Sequence, residues 1–79
     1  PRLQYLAGMA CVQRELWGKA QQLLTRAAPL LQDPLLRTRA WQRLALMAEH
    51  RGDMEASAIA WKLAAQAMVV LPENPAREA

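Results

Sequence analysis

Apolar residues recur along this chain at intervals of three and four, and the whole pattern returns after 37 residues. Under that shift small residues align with small ones, as Gly8 does with Ala45, and large apolar residues align with large ones, as Leu24 does with Trp61. Self-similarity at such a period is typical of helical repeat arrays, in which each unit is one helix hairpin. Such arrays usually bind partners, and we therefore expect binding rather than catalysis.

Periodicity predicts two helices in the first unit, from about Arg2 to Arg14 and from near Leu16 to about Ala28. Pro29 should end the second helix, because a proline inside a helix removes a hydrogen bond and clashes with the preceding turn. Asp33 and Pro34 then favour a restart, as N-cap and first helical residue.

The second unit follows the same plan. Its first helix should run from Pro34 to about His50, where Gly52 can close it in a left-handed conformation. Asp53 can cap the last helix, from Met54 to about Val70, and the proline-containing segment Leu71–Pro75 should stop it.

The predicted fold class is all-α, with two stacked antiparallel helix hairpins in one domain over residues 1–71. The repeat units span about 2–34 and 35–71, and residues 72–79 should form a frayed tail. The helical stripes place the following residues toward neighbouring helices: Trp17, Ala20, Leu23, Leu24, Ala27, Leu36, Ala40, Trp41, Leu44, Ala45, Ala48, Ile59, Trp61, Leu63 and Ala64.

The composition indicates one small folded domain without disulfides. With 79 residues, 53% of them apolar, the chain can form one small domain and is too apolar to be disordered. The single Cys11 excludes an internal disulfide and is expected to fill a small space in the core. No apolar run approaches the roughly 20 residues that span a bilayer. Because the chain begins at Pro1, we expect it to be a fragment of a longer protein.

The second unit resembles the tetratricopeptide (TPR) repeat. Residues 41–45, Trp-Gln-Arg-Leu-Ala, match its W-x2-L-[G/A] term, Gly52–Asp53 matches its hairpin turn, and Ser57, Trp61 and Ala64 match its second helix. The chain departs from the family where it lacks the expected tyrosine, at Ala48, and in the first unit, where Gln4 and Cys11 stand for the tryptophan and the tyrosine.

The run Leu16-Trp17-Gly18-Lys19-Ala20, followed by a second unit with a Gly-Asp turn, resembles the C-terminal repeats of the proteobacterial HemY family. That resemblance implies a protein associated with haem biosynthesis and anchored in the inner membrane by upstream helices. The fragment itself would be soluble, on the cytoplasmic face, and would not touch the membrane. Its repeats would dock partner proteins such as enzymes of the haem pathway. The resemblance implies no catalytic residue and no cofactor.

In TPR repeats the first helix of each pair lines the concave groove where peptides bind. By that match we expect a partner-binding groove lined by Arg2, Tyr5, Met9, Val12, Gln13, Arg39, Gln42, Arg43, Leu46, Glu49 and His50. Arg39 and Arg43 lie one turn apart, so their guanidinium groups could hold a peptide carboxylate by forked hydrogen bonds. The asparagines that complete the carboxylate clamp of chaperone-binding repeats are absent, which favours a solvated arginine face.

Two alternatives belong to other classes. The net charge is +3, and the arginine-rich stretch 37–52 could bind nucleic acid or another anionic surface, although nucleic acid is not the expected partner. A haem-binding module would rest on His50, Cys11 and four methionines, but no second histidine and no cysteine or carboxylate at ligand spacing accompanies His50, so we interpret it as a helix-end residue. Ser57 has no triad partner in the sequence, so an enzyme is not expected.

Two repeat units are too few to cover all the apolar helix faces of this chain. Roughly three repeats are normally needed to bury the apolar faces of such an array, and this chain has two. Apolar edges should remain on Leu3 and Leu6 of the first helix or on Ile59, Leu63, Met68 and Val70 of the last. The isolated chain should therefore associate with itself.

Overall fold

The chain is all-α over residues 1–69, the part that the computed structural model describes. Its helices are α1 (Arg2–Gln13), α2 (Trp17–Ala27), α3 (Pro34–His50) and α4 (Met54–Val69), with one 3-10 turn at Ala28–Leu30. The four predicted helices are confirmed, and the boundaries within the described residues agree to within one residue. The end of the last helix at Val70, the stop at Leu71–Pro75 and the tail 72–79 lie outside the described residues.

Each helix pair is joined by a turn of three residues, and the two turns have the same hydrogen bonds. The Leu16 N–H donates to the Cys11 carbonyl at 2.9 Å, and 37 residues later the Asp53 N–H donates to the Ala48 carbonyl at 2.9 Å. A bond between these positions is the outer bond of the Schellman motif, which ends a helix and reverses the chain. The repeat seen in sequence is thus also a repeat of backbone geometry.

The inner bond of the motif is repeated too. The Glu15 N–H donates to the Val12 carbonyl, and the Gly52 N–H donates to the Glu49 carbonyl, both at 3.0 Å. Glu15 and Gly52 have φ of 60° and 80°, in the left-handed region that glycine adopts without steric cost. The first turn therefore places a side-chain-bearing residue where the second has glycine.

Aspartates begin the two helices of the second unit, as predicted. The Asp33 carboxylate accepts a hydrogen bond from the Leu35 N–H at 2.9 Å, and the Asp53 carboxylate accepts one from the Ala56 N–H at 3.1 Å. These bonds satisfy backbone donors that a helix start leaves unpaired. Leu16 holds the equivalent position before α2 and provides no side-chain cap.

The linker between the hairpins is compact. Pro29 ends α2 through the 3-10 turn, and Leu31 beyond it is buried in the core. The Arg37 Nε donates to the Leu31 carbonyl at 2.8 Å, which ties the linker to the first turn of α3. The residues that lengthen this repeat are thus packed and hydrogen-bonded to the helices they connect.

Alanine dominates the core. The buried cluster comprises Tyr5, Ala20, Leu24, Ala27, Ala28, Leu31, Ala40, Leu44, Ala45, Met47 and Ala60, with Met9, Cys11, Val12, Leu36 and Trp41 packed against it. Small side chains let helix axes approach closely, most clearly where α1 crosses α2. A Cβ added at Gly8 would lie 2.8 Å from Leu24 Cγ, and Leu24 is completely buried.

Three large side chains predicted to lie toward neighbouring helices are only partly covered by them. Trp17, Ile59 and Trp61 are 45%, 55% and 38% exposed, whereas Ala60 and Ala64 of α4 are buried. Trp17 and Trp61 still contact α3, through the His50 ring and the Glu49 carboxylate. Ile59 lies on the exposed edge that was also predicted.

The helices pack in sequence order. Helix α1 packs on α2 and α3 on α4, while the two hairpins meet chiefly through α2 and α3. The outer helices consequently carry exposed apolar residues, among them Leu3, Leu6, Ile59 and Met68, as predicted. Leu63 is half-buried, and Val70 lies outside the described residues.

Candidate functional site

The most distinctive surface feature is a cleft of about 460 Å³ between the start of α2 and the second half of α3. It is lined by Trp17, Gly18, Gln21, Arg43, Leu46, Met47, His50 and Arg51. We call it the α2–α3 cleft. It lies where the two hairpins meet, so both repeat units contribute to one surface.

The walls of the cleft are mainly apolar. The Trp17 indole and the Leu46 side chain are each 45% exposed, and Met47 between the helices is buried. The Trp17 and His50 rings face each other with centroids 6.4 Å apart and planes tilted by 44°. An aromatic ring with an exposed face beside flexible apolar groups is a good contact surface for a large apolar side chain.

Cationic groups line the same cleft. Arg43 is half-buried, and within residues 1–69 it takes part in no ion pair. Arg51 is exposed and makes a loose contact with Asp53, with its Nη2 3.7 Å from the carboxylate oxygen. An exposed ion pair at that distance is weak, so the Arg51 guanidinium can exchange it for another anion.

The nearby carboxylate of Glu49 is directed away from the cleft. Its Oε2 accepts hydrogen bonds from the Ser57 hydroxyl at 3.2 Å and from the Trp61 indole N–H, both on α4. Glu49 thus joins the two helices of the second hairpin, and none of the residues that line the cleft is acidic.

The structure brings together three residues of the predicted groove. Arg43, Leu46 and His50 line the α2–α3 cleft. Tyr5 is buried in the core, and Met9 and Val12 are half-buried against it. The remaining predicted residues lie outside the cleft: Arg2, Gln13, Arg39, Gln42 and Glu49.

The other cleft residues were not predicted: Trp17, Gly18, Gln21, Met47 and Arg51. The 37-residue alignment pairs Trp17 with Met54, the first residue of α4, which is itself exposed. The pairing with Met54 could have indicated that Trp17 is exposed, because both residues hold the first position of a helix.

Outside the α2–α3 cleft, the described residues contain few groups that could hold a metal ion or react. Residues 1–69 contain no group of three or more His, Cys, Asp or Glu side chains arranged to hold a metal ion. Cys11 is a free thiol packed against the core. None of the four described helices is long and apolar enough to cross a membrane.

Comparison of the chain with protein-family models, with curated proteins and with solved structures finds no match.

Proposed function

We propose that this chain is a protein-interaction module of the TPR type, and that it binds an acidic peptide segment of a partner protein in the α2–α3 cleft. The observation that carries the proposal is the cleft itself, in which apolar walls and guanidinium groups converge from two repeat units. The duplicated hairpin turn supports a repeat architecture, because the same two backbone hydrogen bonds recur 37 residues apart.

The cleft chemistry defines the ligand class. Arginine guanidinium groups bind carboxylates through paired hydrogen bonds, and Arg43 and Arg51 line the same space. Trp17, Leu46 and Met47 offer an apolar surface next to them. A peptide with one carboxylate and one large apolar side chain close to it would satisfy both parts of the site.

The same proposal places the module in a larger protein of the HemY type. In that protein, upstream segments hold the repeats at the cytoplasmic face of the inner membrane, and the bound segments belong to enzymes of haem biosynthesis. The Leu-Trp-Gly-Lys-Ala run at residues 16–20 supports this assignment. Trp17 and Gly18 of that run also line the cleft.

Nucleic-acid binding by the basic helix is less well supported. Arg37 donates its Nε–H to the Leu31 carbonyl at 2.8 Å, and Arg51 contacts Asp53. The Nε–H of Arg37 is thus occupied within the chain, and Arg51 has an acidic neighbour that would repel a phosphate, while Arg39 is exposed one turn before Arg43. A phosphate backbone needs a continuous row of cations, and here that row is interrupted.

The test is fluorescence anisotropy with labelled peptides that combine a glutamate or a C-terminal carboxylate with a leucine or phenylalanine. Arg43→Gln should weaken binding by about tenfold to 100-fold, since a hydrogen-bonded charge contributes on the order of 1.5–3 kcal/mol. Arg39→Gln is the matched control, on the same helix but outside the cleft, and it should change affinity by less than about twofold.

Two outcomes would contradict the proposal. Equal losses in the Arg43→Gln and Arg39→Gln variants would show a general charge effect rather than a site. Tighter, salt-dependent binding to random-sequence duplex DNA than to any of the peptides would favour the basic-helix alternative.

A further inference from the structure

The repeat makes each residue comparable with its equivalent 37 positions away, and two groups of such pairs bear on how the hairpins pack. The first group is buried in both units, as are Gly8 with Ala45 and Ala27 with Ala64. These positions lie between the two helices of a hairpin, a contact that both hairpins make. They explain the internal packing of each unit.

The second group is buried in the inner helices and exposed in the outer ones. On α3, the inner residues Ala40, Leu44 and Met47 are buried. Their equivalents on α1 are exposed, and these residues form what we call the α1 face: Leu3, Ala7 and Ala10. Helix α3 differs from α1 in having the other hairpin packed against it through α2, so this contact accounts for the difference.

The other side of the same contact shows the same asymmetry. Ala28 and Leu31, at and beyond the end of α2, are buried. Their equivalents Ala65 and Met68, which we call the α4 face, are exposed. All five exposed equivalents are apolar, whereas a helix face that meets water is normally polar.

We infer that the α4 face of one copy of this chain packs on the α1 face of a second copy and reproduces the contact that α3 makes with the end of α2 and the linker after it. The internal contact provides the template, because the residues of the two exposed faces are the 37-residue equivalents of buried residues on its two sides. The two faces are different, so the association is head-to-tail. Such a contact adds copies in a row unless the rotation between them closes a ring.

This inference does not depend on the peptide site. The α2–α3 cleft lies inside one chain and includes no residue of the α1 face or the α4 face. Arg43→Gln should therefore weaken peptide binding without changing association. Failure of either proposal can be recognised separately from failure of the other.

The experiment uses sedimentation velocity of the 79-residue chain over a range of concentrations, with two variants. Leu3→Glu and Met68→Glu each place a charge in one of the two faces. Leu3 is 82% exposed and Met68 is 52% exposed, so both variants should keep the fold. Circular dichroism and thermal unfolding check this before association is compared.

The head-to-tail arrangement predicts a specific pattern. The unmodified chain should sediment faster as concentration rises, and each variant alone should remain a monomer, because one of its two faces is lost. An equimolar mixture should form a dimer and no larger species. In that mixture the intact α4 face of Leu3→Glu meets the intact α1 face of Met68→Glu.

Ile59→Glu is the matched control. Ile59 is exposed on α4, but its equivalent Gln22 is exposed on α2 as well, so this position lies outside the repeated contact. The control should associate like the unmodified chain. A monomeric unmodified chain at every concentration, a variant that associates alone, or loss of association in Ile59→Glu would each overturn the inference.

Discussion

Glu15 and Gly52 occupy the same position in two copies of one hairpin turn, and both have a left-handed backbone, with φ of 60° and 80°. Their N–H groups donate to Val12 and Glu49, which are also equivalent, at the same distance of 3.0 Å. One turn is therefore built with glycine and the other with a residue whose Cβ opposes that conformation. The two turns therefore allow the stability cost of a left-handed non-glycine residue to be compared with glycine within a single chain.

Glu15→Gly should stabilise the protein. A left-handed residue other than glycine costs roughly 1–2 kcal/mol, part of which is offset because glycine is more flexible in the unfolded chain. We expect the free energy of unfolding to rise by about 0.5–1 kcal/mol, measured by urea denaturation. Gly52→Ala should lower it by about 1 kcal/mol. A loss of stability in Glu15→Gly would contradict the motif.

Gly8→Ala and Gly18→Ala should have opposite effects, although both replace a helical glycine. A Cβ at Gly8 would lie 2.8 Å and 2.9 Å from two Leu24 side-chain carbons, and Leu24 is fully buried and has no space to move. A Cβ at Gly18 meets nothing within 4 Å.

Thermal unfolding of the two variants separates crowding from helix propensity. Gly18→Ala should gain about 0.5–1 kcal/mol, because alanine favours the helix. In Gly8→Ala that gain is outweighed by overpacking, which costs typically about 1–3 kcal/mol. Stabilisation in both variants would show that α1 and α2 are farther apart than described.

The Glu49 carboxylate should stabilise the second hairpin through its bonds to α4. A double-mutant cycle with Glu49→Ala and Trp61→Phe should give a coupling energy of about 1 kcal/mol, as expected for a partly exposed hydrogen bond with one charged partner. Glu55→Ala is the control, since Glu55 is an exposed acid at the start of α4. Additive effects of the two substitutions would show that the bond contributes nothing in solution.

Asp53 combines a helix cap with an ion pair, and two substitutions separate them. Asp53→Ala removes both and should cost about 1 kcal/mol, mostly from the cap to the Ala56 N–H. Asp53→Asn keeps a capping oxygen but removes the negative charge, so it loses the exposed 3.7 Å pair with Arg51 and the attraction to the N-terminal end of the α4 dipole. Stability should fall by about 0.5 kcal/mol, less than in Asp53→Ala. Equal losses in urea denaturation would assign the stability to the charge of Asp53 rather than to its capping hydrogen bond.

The helix boundaries could be predicted because the residues that set them act locally. Asp33 and Pro34 begin α3, and Gly52 ends the turn after it, by backbone preferences that depend little on the rest of the fold. The first turn was harder, since Glu15 is not a turn residue by preference. The 37-residue alignment with Gly52 is the evidence that places it in the left-handed region.

The position of the bulky residues could not be predicted, because it depends on how closely the helices approach. Trp17 and Trp61 fit the apolar stripes, but alanines such as Ala60 and Ala64, and not these two indoles, are the buried residues at the helix contacts. The cleft was missed for a related reason. A groove on α1 and α3 was expected, whereas the start of α2 forms one wall of the cleft found between the hairpins.

The 3-10 turn Ala28–Leu30 and the bond from Arg37 to the Leu31 carbonyl have a mechanical consequence. Arg37 lies outside the α2–α3 cleft, yet its bond helps to hold the linker that joins the two helices forming that cleft. Loss of this bond would loosen the joint between the two repeat units without replacing a residue that lines the cleft.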